Sequence, residues 1–212
     1  MTEAKVVPVV NVPNALTVLR LLMVPLFAWM LLSHPHDIGW RWATTIVFVV
    51  ALLTDVADGK IARKYGLITD FGKLWDPIAD KAITGMAMIG LSILGELWWW
   101  VTIIILIREW GITIMRFMIV KYGVQAADRL GKMKTLAQTI ALVGLLMPLL
   151  AYIADPATPG WWYWTSQVLH WVSVVAMGAA FILTVVSGVN YCIGAWKLRQ
   201  TWLAEHANGN PR

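Results

Sequence analysis

Residues 42–66 read WATTIVFVVALLTDVADGKIARKYG: an uncharged run from Trp42 to Thr54, then Asp55 and Asp58, then a basic tail. An apolar run of this kind is either a core helix of a soluble protein or part of a membrane span. The rest of the chain decides between them. Working outward, five more apolar segments follow the same plan: Ala15–Leu32, Ile78–Leu97, Trp98–Val120, Leu136–Ala154 and Val168–Ile193, with Trp42–Ala57 as the second of six. Of the 212 residues, 59% are hydrophobic and 14% charged. A soluble domain carries roughly 25% charged residues, and a globule of this size cannot bury so much apolar surface. The expected fold is therefore an all-α membrane protein of six transmembrane helices, and the composition excludes a disordered chain.

Charge sets the orientation. With the N-terminus cytoplasmic, only Arg41 of the 17 Lys and Arg residues falls at an outer end. That asymmetry places both termini in the cytoplasm. Trp40, Trp42, the Trp98–Trp100 run, Trp161, Trp162 and Trp164 gather at the outer ends, where amphipathic rings favour the headgroup layer. The net charge of +5 thus reports topology, and nucleic acid is not an expected partner. The single cysteine, Cys192, excludes an internal disulfide framework. The N-terminus carries no basic stretch leading into a short apolar core, so no cleavable signal peptide is expected. Residues 1–14 read as an N-terminal cytoplasmic or interfacial segment, 15–196 as the six-helix domain and 197–212 as a cytoplasmic tail. Asn14 is the expected N-cap of the first helix, since its side chain can accept from an orphan N–H.

Asp55, Asp58, Asp76 and Asp80 sit at the inner ends of the second and third segments. Charged residues near lipid are costly and mark functional cavities. Spacings of three and four residues put each pair on one helical face. Four converging carboxylates repel unless a cation relieves them, and an all-oxygen donor set suits Mg²⁺, Mn²⁺ or Ca²⁺ rather than zinc. Two such ions would clamp a diphosphate, Arg63 offers a fork for a phosphate oxygen, and Gly59 lets a flat group approach the backbone.

The complete pattern is Asp55-x2-Asp58-Gly59-x2-Ala62-Arg63-x8-Gly72-x3-Asp76-x3-Asp80. It resembles the signature of the CDP-alcohol phosphotransferases. The resemblance implies a cytoplasmic-face active site in which an alcohol attacks a CDP-linked lipid and CMP leaves. It implies that Asp55, Asp58, Asp76 and Asp80 ligate two Mg²⁺ ions, with Mn²⁺ as a substitute, and that Asp80 is also the catalytic base. Asn14, Thr17, Gly59, Arg63 and Thr69 would contact CDP-diacylglycerol. The stretches PNALTVLR (13–20), DPIADK (76–81), IREW (107–110), GKMKTLAQ (131–138) and LTVVSGVNY (183–191) are similar to the branch of that family that makes phosphatidylglycerophosphate. The acceptor it implies is sn-glycerol 3-phosphate. The residues themselves are consistent with an anionic acceptor: Arg108 lies within an apolar segment, where a cation normally faces the bundle interior or a wet cavity, and Arg108, Lys132, Lys134 and Thr135 are the expected holders of the acceptor phosphate. The resemblance further implies a homodimer. The inside-facing charge, with no targeting segment expected, fits a multi-pass protein in the lipid bilayer of a bacterial cytoplasmic membrane. Other acceptors, phosphatidylglycerol or inositol phosphate, keep the same chemistry. A divalent-cation channel or transporter is the alternative of a different class, although the acids lie at one membrane face only.

Overall fold

The computed structural model describes residues 11–67, 69–119 and 129–207, and all regular structure among them is helical. Seven helices follow in order: α1 (Val12–Ser33), α2 (Ile38–Tyr65), α3 (Asp70–Ile93), α4 (Trp99–Ile119), α5 (Arg129–Leu146), α6 (Leu149–Ala154) and α7 (Gly160–Ala207).

α1 starts earlier than the sequence reading expects. Its N-cap is Asn11, not Asn14: the Asn11 backbone is extended, and its side chain accepts from the Asn14 N–H at 2.9 Å. Pro13 lies in the first turn, where a missing N–H is no loss. Asn14 is thereby a helical residue whose side chain is turned to tertiary contacts. Most of the expected N-terminal segment, residues 1–10, lies outside the described residues.

α2 begins at Asp37, which accepts from the Trp40 N–H, and ends on Gly66. Gly66 has φ 66°, a left-handed conformation open to glycine, and its N–H closes on the Ala62 carbonyl. The helix therefore runs two turns beyond the apolar stretch, carrying both acids on unbroken backbone. α3 is capped by Thr69, which accepts from the Gly72 N–H. Gly95, at φ 76°, turns the chain between α3 and α4.

The fifth apolar segment is not one helix. Pro148 separates α5 from α6, because it has no N–H for the preceding turn and its ring clashes there. α7 has 48 residues, roughly 72 Å of helix. It continues through Ala207, past the expected start of the tail.

α1 lies against both α2 and α3, and α5 runs along α7. The core between them holds Phe27 and Leu31 of α1, Phe48 of α2, Ile83, Met88 and Leu91 of α3, and Leu142 and Leu146 of α5. The exterior is apolar as well: Leu22, Ile107 and Val175 are each more than three-fifths exposed. α1 and the Gly160–Leu203 part of α7 are long and apolar enough to cross a membrane, with mean hydropathies of 2.1 and 2.2. At the end of the bundle away from the acids, Arg41 makes a two-pronged pair with Glu96 at 3.0 and 2.7 Å and also donates to the Leu145 carbonyl. Arg41, the one cation expected at an outer end, is thus neutralised within the fold.

Candidate active site

Asp55 and Asp58 come from α2, Asp76 and Asp80 from α3. Asp58 is buried and the other three are half-buried. The acids are close enough to interact: Asp55 feels the charges of Asp80, Asp58 and Asp76, and Asp58 that of Asp76.

α1 organises them. Asn14, Thr17 and Arg20 recur every third residue, share one helix face and are all buried. Arg20 spans the α2 pair like a fork: Nη1 donates to Asp55 Oδ1 at 2.6 Å and Nη2 to Asp58 Oδ2 at 2.5 Å. The Thr17 hydroxyl donates to Asp76 Oδ1 at 2.5 Å. Asn14 Oδ1 accepts from the Thr69 hydroxyl at 3.0 Å, tying α1 to the cap of α3. A Cβ on Gly72 would stand 3.0 Å from Asn14 Oδ1 and 3.6 Å from Asp76 Oδ2, so a side chain there would crowd this corner. Asp58 lies beyond the apolar stretch that ends at Ala57. Burial pushes its carboxyl above the ordinary range, and the Arg20 guanidinium opposes that rise.

The donor chemistry suits a hard divalent cation, since all four side chains offer carboxylate oxygens. Arg20 uses one oxygen of Asp55 and one of Asp58, and Thr17 one of Asp76. The second oxygen of each stays outside those bonds. Among the described residues, no three His, Cys, Asp or Glu side chains close on a common point. The donors fit such an ion by chemistry, and loading it would draw their side chains together.

The expected acceptor residues lie on α4 and α5. Lys134 is buried and its ammonium pairs with the Glu109 carboxylate. Arg108 Nη1 stands 3.5 Å from the same carboxylate, and Nη2 donates to Ser187 Oγ of α7 at 2.7 Å. The Arg108 Nε is buried with no hydrogen-bond partner. Lys132 and Thr135 are exposed, with the Thr135 hydroxyl donating to the Gly131 carbonyl. A cavity of about 600 Å³ is walled by Arg108, Arg116, Lys132, Lys134, Ser187 and Tyr191, among others. A second, of about 340 Å³, is walled by Asp55, Asp80, Glu109, Lys134, Thr135 and Gln138 with apolar neighbours. The two share Glu109, Lys134, Thr135 and Thr139, so the recess of the acids adjoins that of the cations. Lys81, next to Asp80, feels the charges of Asp80, Arg116 and Arg108.

The structure thus brings Asn14, Thr17 and Thr69 to the acids, and Arg108 to Lys134. Gly59 follows Asp58 on α2, half-buried. The Arg63 side chain lies outside the described residues. Sequence reasoning missed Arg20, Glu109, Ser187, Tyr191 and Gln138 as site residues. For Arg20 a signal was present: a cation inside the first apolar segment, in register with Asn14 and Thr17.

Known proteins resemble the chain over most of its length. The sequence pattern of the CDP-alcohol phosphatidyltransferases matches residues 10–189. The chain is 41% identical over 198 residues to a probable phosphatidylglycerophosphate synthase of Mycobacterium tuberculosis, covering 91% of this chain and 87% of that protein. It is 34% identical over 203 residues to the CDP-diacylglycerol–glycerol-3-phosphate 3-phosphatidyltransferase of Bacillus subtilis, covering 90% and 98%. The Escherichia coli K12 protein of the same name is 34% identical over 145 residues, covering 64% of this chain and 76% of that protein.

Proposed function

The chain belongs to the CDP-alcohol phosphatidyltransferase family, and from that membership we propose that it transfers the phosphatidyl group of CDP-diacylglycerol to sn-glycerol 3-phosphate. The products are phosphatidylglycerophosphate and CMP. The name of the B. subtilis relative supports this substrate pair, and that of the M. tuberculosis relative supports the lipid product. The observation that carries it is the shared wall of the two cavities: carboxylates of α2 and α3 face one recess, and the cations of α4 and α5 face its neighbour. An acceptor with a hydroxyl at one end and a phosphate at the other matches that polarity.

In this reading Asp80 takes the proton of the attacking hydroxyl, within hydrogen-bond reach of the acceptor. The hydroxyl oxygen bonds to the phosphorus that carries the diacylglycerol, and the bond from that phosphorus to the CMP oxygen breaks, leaving its electron pair on CMP. Asp55, Asp58, Asp76 and Asp80 would hold Mg²⁺ or Mn²⁺, which when bound neutralises the diphosphate and the charge growing on the leaving oxygen. Arg20 and Thr17 fix the carboxylate orientations through one oxygen each, as outer partners commonly fix metal ligands. Arg108, Lys134 and exposed Lys132 receive the acceptor phosphate, with Glu109 as the counter-charge that the phosphate displaces. The apolar exterior supports a bilayer setting with six crossings, α5 and α6 together forming the fifth.

The test is CMP release from CDP-diacylglycerol by the full-length protein in detergent, with Mg²⁺ and one acceptor at a time. Release with glycerol 3-phosphate, and not with inositol phosphate or phosphatidylglycerol, is expected. Release only with another acceptor overturns the substrate assignment. Divalent-ion flux in liposomes without CMP release overturns the enzyme reading.

A further inference from the structure

The acids and cations have roles in the reaction above; Gln138 has none. It lies on α5, four residues after Lys134, and is only 5% exposed. Its amide nitrogen donates to Met88 Sδ at 3.7 Å, and sulfur is a weak acceptor. Its amide oxygen is buried with no hydrogen-bond partner. Buried polar groups are rarely left so, and an orphan in a cavity wall points to something that fills the cavity. Gln138 lines the cavity that also holds Asp55, Asp80, Lys134 and Thr135. Four residues of helix rise about 6 Å, so Gln138 lies one turn further along the same face of α5 than Lys134.

That placement sets three chemistries in one wall: an ammonium for a phosphate, a carboxylate for the reacting hydroxyl and an unpaired amide. Glycerol 3-phosphate presents a phosphate, a terminal hydroxyl and one further hydroxyl on its central carbon. We propose that Gln138 is a specificity-determining residue that hydrogen-bonds the central, non-reacting hydroxyl of the acceptor. A hydroxyl both donates and accepts, so it serves either orientation of the amide. The inference rests on the acceptor assignment made above and deepens it. It explains how the site prefers a polyol phosphate to a phosphate ester lacking that hydroxyl: without it, the amide stays buried and unpaired.

The experiment compares sn-glycerol 3-phosphate with 3-hydroxypropyl phosphate, which keeps the phosphate and the terminal hydroxyl but lacks the central one. For the wild type, kcat/KM is expected to favour glycerol 3-phosphate by about tenfold or more, the worth of one good buried hydrogen bond. In Gln138→Leu the ratio should fall to within about twofold, through loss with glycerol 3-phosphate. A merely structural role would lower both acceptors alike and leave the ratio unchanged, and that result overturns the proposal. So does a wild type that does not discriminate. If Q138L does not fold, Gln138→Asn draws the amide back by one methylene and must lose the same ratio. A wild type that releases CMP only with an acceptor other than these two overturns the acceptor assignment and this inference together. Efficient use of glycerol 3-phosphate with an unchanged ratio in the variant overturns this inference alone.

Discussion

Arg20→Gln removes the guanidinium that compensates the α2 carboxylates. The Arg20 side chain is fully buried; that of Asp58 is 5% exposed and that of Asp55 38%. Removing one partner of a buried ion pair typically costs about 3–5 kcal/mol, because the other charge is left uncompensated. Asp58 should carry most of that loss, and Asp55, reached by solvent, less. We therefore expect the lower end, about 3 kcal/mol. At about 2–4 °C per kcal/mol for chains of this size, the unfolding midpoint should drop by roughly 6–12 °C. The assay is thermal unfolding of the full-length protein in detergent, followed by tryptophan fluorescence, first with divalent ions chelated and then with Mg²⁺ added. A divalent ion bound by the acids supplies the missing positive charge, so Mg²⁺ should raise the midpoint of R20Q more than that of the wild type. Arg20→Lys keeps the charge but not the fork and should fall between them. An R20Q midpoint within about 2 °C of wild type in chelator would refute the argument that Arg20 neutralises this corner. An equal Mg²⁺ gain in both proteins would refute the link between Arg20 and the proposed metal donors.

Three further substitutions separate the roles. Asp80→Asn should retain CDP-diacylglycerol binding in equilibrium measurements while CMP release falls by about 10²–10⁴-fold, the usual contribution of a positioned base; near-normal turnover removes Asp80 from that role. Arg108→Gln should raise the apparent KM for glycerol 3-phosphate by roughly tenfold with a smaller change in kcat, as loss of a charged hydrogen bond predicts; an unchanged KM in steady-state assays leaves Arg108 with its structural contacts to Glu109 and Ser187 alone. Arg41→Gln should lower the unfolding midpoint, since Arg41 is buried and holds both Glu96 and the Leu145 carbonyl, yet leave the KM of both substrates unchanged, because this pair lies at the opposite end of the bundle.

Much of the site was legible because it is local. Asp55 with Asp58, and Asp76 with Asp80, are one helical turn apart, so helix periodicity alone puts each pair on one face. The boundaries were less legible. Hydropathy carried the fifth segment across Pro148, because apolar residues continue on both sides, and only the backbone break divides α5 from α6. Asn14 looked like the cap because it precedes the uninterrupted apolar run; Pro13 is tolerated in the first turn, which moved the cap back to Asn11.

A helical chain with an apolar exterior and acids grouped at one end could be read from the residues alone. Those properties follow from composition and from the period of a single helix, which need no partner element. It took the packing of the helices to place Arg20 of α1 between Asp55 and Asp58, to pair Glu109 with Lys134, and to set Gln138 in one cavity with Asp80. Those pairings join residues 25 to 58 positions apart. Which face of α1 meets α2 and α3, and which face of α5 meets α3, depends on how the helices pack. That is a property of all their surfaces together, and no stretch of the chain carries it alone.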